Sequence, residues 1–362
     1  MTYSLETLLE KLISFQTDTN HPAEMQKCLE FVKKYLIDAG LKVKTYKSNN
    51  IPSLVAAKTL KKHYQYILNG HLDVVPAEYP NAFKAVRKGN RMYGRGSGDM
   101  KGSAAVMMNI MKDLSKKNVD VAIMLTFDEE IGGNDGVKYL LNKEKYSCDC
   151  AIIPDGGNNF HLTLNQKGSL HVTLQAKGES AHGSRPWLGD NAVEKLIEVY
   201  SEIKQSFPIS NNKDHWETTV NLGKFAGGSA TNTVASAATM SVDFRYVNES
   251  DKERVLTLLR KLEKTTKGLS FEIDLHGYPM AVSPKNKYIK RFISTAKEKG
   301  IELVLENTPT GSDGRYFTEK NIPVIMTNPN CSKGHTDDEW VDMKSLVDHY
   351  SVHKAFLLGK NN

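Results

Sequence analysis

The amino-acid sequence predicts an α/β chain built on a mixed or parallel sheet, with a smaller α+β domain inserted into it. Three observations carry that expectation. The 362 residues (40.4 kDa) exceed one ordinary domain, and roughly 100–200 residues per domain gives about two. Short apolar runs alternate with amphipathic helices before about residue 164 and again after Pro284, as in an α/β sheet. Between them, residues 165–278 read β-α-β-β-α-β, the order of a ferredoxin-like sandwich. The larger domain is therefore expected to be split, as residues 1–164 and 279–362, around an insert at 165–278.

Each element has its own warrant. Leu5, Leu8, Leu9, Leu12 and Ile13 recur at helical spacing. A second helix runs from about Ala23, with Met25, Cys28, Leu29, Val32 and Leu36 inward and Gly40 as its stop. LKVKTYK alternates like a half-exposed strand. YQYILNG, VAIMLTF and CAIIP are the apolar runs of buried strands, with the helix GSAAVMMNIMKDLSKK among them. In the insert, GSLHVTLQAKG, TTVNLGKFAGG, ATMSVDFRY and SFEIDLHGY are strands, and NAVEKLIEVYSEIK and DKERVLTLLRKLEKTTK are helices. Helix KNKYIKRFISTAKEKG, strands IELVLEN and IPVIMTN, and a helix from about Met343 complete the chain.

Composition excludes several classes. Hydrophobic residues at 40% and charged residues at 25% are globular values, which rules out wholesale disorder, collagen and coiled coil. No apolar run approaches the roughly 20 residues of a membrane span, and MTYSLETLLEKLISF lacks the order of a signal peptide. A soluble cytoplasmic protein with no membrane partner is expected. The net charge of +6 is spread among acids, as in YLLNKEKY, so no nucleic-acid partner is expected. The mild excess favours anionic substrates. Cys28, Cys148, Cys150 and Cys331 are too few for a disulfide framework and read as structural thiols.

Chemistry concentrates at strand ends, where open α/β sheets place their sites. In NGHLDVVP, His71 and Asp73 are two apart at the end of an apolar run; an imidazole can bind a metal while a carboxylate fixes its tautomer. In YGRGSGDMKG, Asp99 follows a glycine-rich turn that lacks the Gly-x-x-x-x-Gly-Lys-Ser/Thr spacing of a phosphate loop. In TFDEEIGG, adjacent Glu129 and Glu130 point in different directions, so one carboxylate can ligate a metal and the other take a proton from water. AIIPDGG places Asp155 at another strand end, and SKGHTDDEW places His335 in a loop. The set His71, Asp99, Glu130, Asp155 and His335 offers two imidazoles and three carboxylates. Two zinc ions roughly 3.5–4 Å apart could share one carboxylate and each take one His and one more. Nitrogen and oxygen donors without thiolate suit zinc, cobalt or manganese.

In order, HLDVVP, GRGSGDMKG, FDEEIGG, PDGG and GHTDDEW resemble the motifs of the co-catalytic metallopeptidase family. That family includes succinyl-diaminopimelate desuccinylase, acetylornithine deacetylase, aminoacylase, glutamate carboxypeptidases and several di- and tripeptidases. The resemblance covers nearly the whole chain. It implies a zinc-peptidase catalytic domain with the insert as a dimerisation lid. It also implies that Asp99 bridges two divalent ions, His71 and Asp155 hold one, and Glu130 and His335 hold the other. Glu129 would be the general base and Asp73 the orienter of His71. A deprotonated water would attack an amide carbonyl, and Glu129 would return the proton to the leaving amine.

The insert extends the resemblance. ESAHGSRP carries His182, similar to the family histidine that a dimer partner supplies to the oxyanion, a sensible donor role. FAGGSATNTV with Asn232 and VDFRY with Arg245 resemble segments that bind the substrate's carboxylate end, and Arg suits bidentate pairing. GSDGRYF resembles a loop whose backbone, at Gly311 and Ser312, contacts substrate. Thr233-Val234-Ala235 stands where relatives often carry a proline. The expected activity is hydrolysis of an amide in a small peptide or N-acyl amino acid with a free carboxylate. In the family that the chain resembles, Asp at the place of Asp155 accompanies peptidases and Glu the deacylases and carboxypeptidases, so the resemblance implies a dipeptidase-like metallopeptidase. Length and the single small insert instead resemble the desuccinylase and deacetylase branch, which implies the alternative, a deacylase. A non-catalytic binding protein on the same fold would lack a ligand or the base, and neither is missing.

Overall fold

The computed structural model describes residues 3–156, 159–211, 215–332 and 334–359. Its chain divides into two compact units. The first comprises residues up to Asn165, Ala281–Glu306, and residues from Ser312 onward; the second comprises Gln166–Met280 with Asn307–Gly311. The short return to the second unit has a backbone cause: Lys167 N–H donates to Thr308 C=O at 3.4 Å.

In the first unit a six-stranded mixed sheet runs Lys42–Ser48, Ile51–Ala57, Val121–Thr126, His63–His71, Ser147–Ile152, Val324–Ile325. The last four are parallel; the first two form a hairpin joined antiparallel to Val121–Thr126. Strand Ile51–Ala57 is absent from the sequence expectation. Its turn is Asn49-Asn50, both at positive φ, the two-residue connection whose twist suits a hairpin. Helix Leu5–Ile13 buries Leu8, Leu9, Leu12 and Ile13 completely, so its apolar face is spent on the core. Gly40 takes φ +88° behind helix Pro22–Asp38, in the left-handed stop expected of it.

Two strands are shorter than the sequence predicts. The strand expected in IELVLEN begins only at Leu305 and runs on to Thr308, while Ile301 N–H returns to Ala296 C=O of the preceding helix. IPVIMTN is a strand only at Val324–Ile325. An apolar run becomes strand only where a partner backbone lies alongside.

The second unit has strands in the order Thr219–Gly227, Ala237–Tyr246, Gly168–Lys177, Leu269–Gly277, all antiparallel. Helices Ala192–Ser206 and Glu249–Thr265 pack on the sheet around one core. Leu170, Val172, Leu174, Met240, Val242 and Phe244 meet Leu196, Val199, Ile203 and Leu259 there. Along the chain its elements follow strand, helix, strand, strand, helix, strand.

Cys28, Cys148 and Cys150 are buried thiols, and burial pushes Cys28 up to about 12. Among the described residues no helix is long and apolar enough to cross a membrane.

Helix Met343–Leu358 carries two fully buried histidines. His349 Nε2 donates to Thr327 C=O at 3.1 Å, and His353 Nε2 lies 3.0 Å from it. Burial holds His349 down to about 3 and His353 well below the usual 6.5. Both are neutral in the fold, whereas the unfolded chain protonates them below about 6.5. Their contribution to stability is therefore complete above about pH 7 and falls with pH through 6.5 toward 3, by roughly 1.4 kcal/mol per unit per histidine. Thermal melts in chelator at pH 7.5 and 5.5 measure this. His353→Leu is expected to change the stability difference between pH 7.5 and 5.5 by about 1.4 kcal/mol in favour of the lower pH; an unchanged difference would exclude His353 as a source of it.

Candidate metal centre

The parallel strands point their C-terminal ends at one place. His71 is the last residue of its strand. Glu129 follows Thr126 by three residues and opens a single turn, Glu129–Ile131. Asp155 follows Ile152 by three residues. Asp99 comes from the turn before helix Gly102–Leu114, and His335 from the loop before strand Trp340–Asp342.

Asp99 sits between two imidazoles. Its Oδ1 is 3.1 Å from His71 Nε2, and its Oδ2 is 3.2 Å from His335 Nε2. Asp155 Oδ2 lies on the His71 side, 3.9 Å from Nε2. Glu130 Oε2 lies on the other side, 3.2 Å from His335 Nε2. Glu129 also stands within ligand reach of His71 and Asp155, as Glu130 does of His71 and Asp99. Distance alone therefore does not separate ligand from base.

Asp73 acts on this centre from behind. His71 Nδ1 faces its carbonyl at 3.1 Å and its Oδ1 at 3.4 Å, which keeps a ring proton on Nδ1 and makes Nε2, 3.1 Å from Asp99 Oδ1, the nitrogen that a cation would take in place of its proton. Asp73 Oδ2 accepts Glu130 N–H at 3.0 Å and so also holds the acidic turn.

Electrostatics test whether cations fit. Burial, and next the charge of Asp99, push Asp155 up to about 7. Burial and the nearby Asp155 push Glu129 well above the carboxylate range. Burial also works against ionised Asp99, but hydrogen bonds from His335 and His71 outweigh it and hold Asp99 low. Hydrogen bonds from Asp99 and Glu130 raise His335 to about 10. Carboxylates crowded into a buried site raise one another unless a cation neutralises them. Nitrogen and oxygen donors with charge to neutralise fit divalent metal.

The insert's expected residues fall at two ends of one sheet. His182 and Asn232 are neighbours: Gly183 N–H donates to Asn232 C=O at 2.7 Å. A Cβ on Gly183 would come within 2.9 Å of that backbone, so glycine is required for the approach. Ser184 N–H donates to His182 Nδ1 at 3.2 Å, which leaves the proton on the exposed Nε2. Arg245 lies eight residues along strand Ala237–Tyr246, about 27 Å from its first residue, and Asn232 precedes that residue. One chain's insert therefore does not bring Asn232 and Arg245 together. Arg245 Nε is instead 3.0 Å from Asp243 Oδ1. Gly311 clusters with the second unit; Ser312 is buried in the first, its hydroxyl accepting Gly314 N–H at 3.2 Å.

Sequence reasoning missed several supports. Arg315 Nη2 donates to Gly132 C=O at 2.9 Å, and the Tyr316 hydroxyl donates to the same oxygen, fixing the loop behind Glu130. Gly133, at φ +66°, packs so that a Cβ would fall 2.2 Å from Asp313 Oδ1. Glu339, buried against the Asp99 turn, lay inside SKGHTDDEW with no local signal to set it apart.

Comparison with known proteins adds the relatives. The family model described as Peptidase family M20/M25/M40 matches residues 67–359. The chain is 24% identical over 371 residues to the succinyl-diaminopimelate desuccinylase of Vesicomyosocius okutanii subsp. Calyptogena okutanii (strain HA), covering 97% of each. Its structure resembles the aminopeptidase PepT from Bacillus cereus ATCC 10987, with a TM-score of 0.81, 18% identity, and 98% and 97% of the two chains covered. A tripeptidase from Staphylococcus aureus subsp. aureus Mu50 gives 0.80 at 22% identity, with 98% and 96% covered. At those identities the structural likeness concerns the fold.

Proposed function

The chain belongs to peptidase family M20/M25/M40 and is a metal-dependent hydrolase, and from that premise we propose that it cleaves an amide bond with two divalent ions at the Asp99 cluster. The observation that carries this reading is the position of Asp99, with one oxygen toward His71 and the other toward His335. His71 and Asp155 would hold one ion, Glu130 and His335 the other, and Asp99 both. Zinc, cobalt and manganese match this donor set. Bound there, such ions would supply Lewis-acid polarisation of the amide carbonyl and a lowered pKa for water.

The chain's own residues do the rest. Glu129 takes a proton from the attacking water and delivers it to the leaving amine nitrogen. Asp73 keeps the His71 proton on Nδ1, so Nε2 stays a ligand. The exposed Nε2–H of His182 suits a hydrogen bond to the oxygen that gains charge. We assign the insert to a ferredoxin-like dimerisation lid, with His182 reaching the partner copy's site. The separation of Asn232 from Arg245 within one insert supports a site completed by two chains. Sedimentation showing a fully active monomer would refute that assembly.

The favoured substrate is a small peptide with a free carboxylate, on the strength of Asp155. A second reading, N-acyl amino acid deacylation, is supported by the end-to-end match to a desuccinylase. A panel of free dipeptides, N-acetyl-ornithine, N-acyl-lysine and N-succinyl-diaminopimelate, assayed with zinc or cobalt, separates them. Dipeptide turnover at least about tenfold above the acyl substrates in kcat/KM, about 1.4 kcal/mol, is expected. The reverse order would establish the deacylase. Turnover of none of them would overturn the amidohydrolase reading.

A further inference from the structure

The glycine-rich turn before helix Gly102–Leu114 does cradle an anion, and the anion is the chain's own. Glu339 Oε2 accepts Gly96 N–H at 2.8 Å; Oε1 accepts Gly98 N–H at 2.8 Å and Asp99 N–H at 2.9 Å. Arg95 Nη1 adds a donor to Oε2 at 3.3 Å and also donates to Thr336 C=O at 2.9 Å. Successive N–H groups converging on one carboxylate form a nest, here filled by a side chain that is 1% exposed. Its shape depends on glycine. Gly96 is left-handed at φ +78°, and a Cβ on Gly98 would stand 2.8 Å from Cys331 Cβ.

The nest matters for where Asp99 ends up. One loop carries His335 and, four residues later, Glu339. It grips Asp99 twice, with His335 at the carboxylate and Glu339 at the peptide N–H. The spacing between Asp99 and His335 is thus fixed by a bond to backbone and not by their side chains alone. We infer that Glu339 is the positioning residue of the centre, clamping the Gly96–Asp99 turn so that Asp99 faces His71 and His335 together. This rests on the metal-centre reading above, and its consequence is that divalent-ion affinity depends on a residue that ligates nothing.

The test uses the full chain as wild type, Glu339→Gln and Glu339→Ala. Gln keeps one oxygen for Gly98 and Asp99 but turns a donor toward Gly96. Amide exchange of the metal-free proteins is followed in peptides spanning residues 94–101, and cobalt affinity by its visible spectrum. Faster exchange is expected in 94–101 with helix Gly102–Leu114 unchanged, and cobalt affinity about tenfold weaker for Gln and about 100-fold weaker for Ala. Unchanged exchange in Glu339→Gln, or faster exchange with wild-type cobalt affinity, would overturn the inference. If Glu339→Ala does not fold, Glu339→Gln decides. Should the wild type take up no cobalt, the metal reading fails, while selective loss of protection in 94–101 still supports the clamp.

Discussion

Glu129→Ala is expected to lower kcat by about 10²–10⁴-fold or more, the span removed with a positioned acid–base group, while KM changes little. The ground for the split is that a general base at Glu129, as proposed, would handle a proton in the transition state and add no uniform binding of the substrate. Two controls separate this from collapse of the site. The metal content of the variant should stay at two per chain, because the five other donors remain. Its thermal midpoint in chelator should not fall, because burial and the charge of Asp155 both oppose an ionised Glu129. Retained turnover would sink the base assignment. Lost turnover with metal content near one would instead make Glu129 a ligand, which its reach to His71 and Asp155 allows geometrically.

Asp99→Ala should have the other large effect, on binding. If Asp99 is shared, its removal weakens both ions, by more than the roughly 10–100-fold typical of an outer partner, and turnover goes with them. Asp155→Ala is the comparison, since Asp155 lies on the His71 side only and its loss should weaken one ion and spare the other. Calorimetric titration of the two variants with zinc tells these cases apart. Two ions retained at wild-type affinity in Asp99→Ala would end the bridging assignment.

Much of this site was legible because the sheet writes it into local pattern. Apolar runs that stop at His71, at Thr126 before Glu129, and at Ile152 before Asp155 announce strand ends, and strand ends of a parallel sheet converge. His335 was legible only through its motif, since nothing periodic leads to it. What escaped reading were contacts made across the chain. Glu339 meets residues some 240 positions earlier, and a carboxylate bound by peptide N–H groups looks in sequence like any surface acid. Ile51–Ala57 escaped for a different reason: an edge hairpin drawn into the sheet reads locally as a loop when its turn is Asn-Asn rather than Asn-Gly. Arg245 and Asn232 were paired by resemblance, but a ten-residue strand keeps their ends of the insert apart.

The loop that carries His335 and Glu339 has a consequence for how the protein acquires its activity. Residues 71–155 bring four of the five proposed ligands, but these alone are mutually repelling acids around one imidazole, beside a turn whose N–H groups have no anion to bind. Closing the centre requires a contact between segments more than 200 residues apart, of the kind that forms late because its loop entropy must be overcome first. Neither half of the chain holds the finished centre: residues 71–155 carry every donor proposed for the ion on the His71 side, whereas the one proposed for the Glu130 side waits for His335 and so for the completely folded molecule.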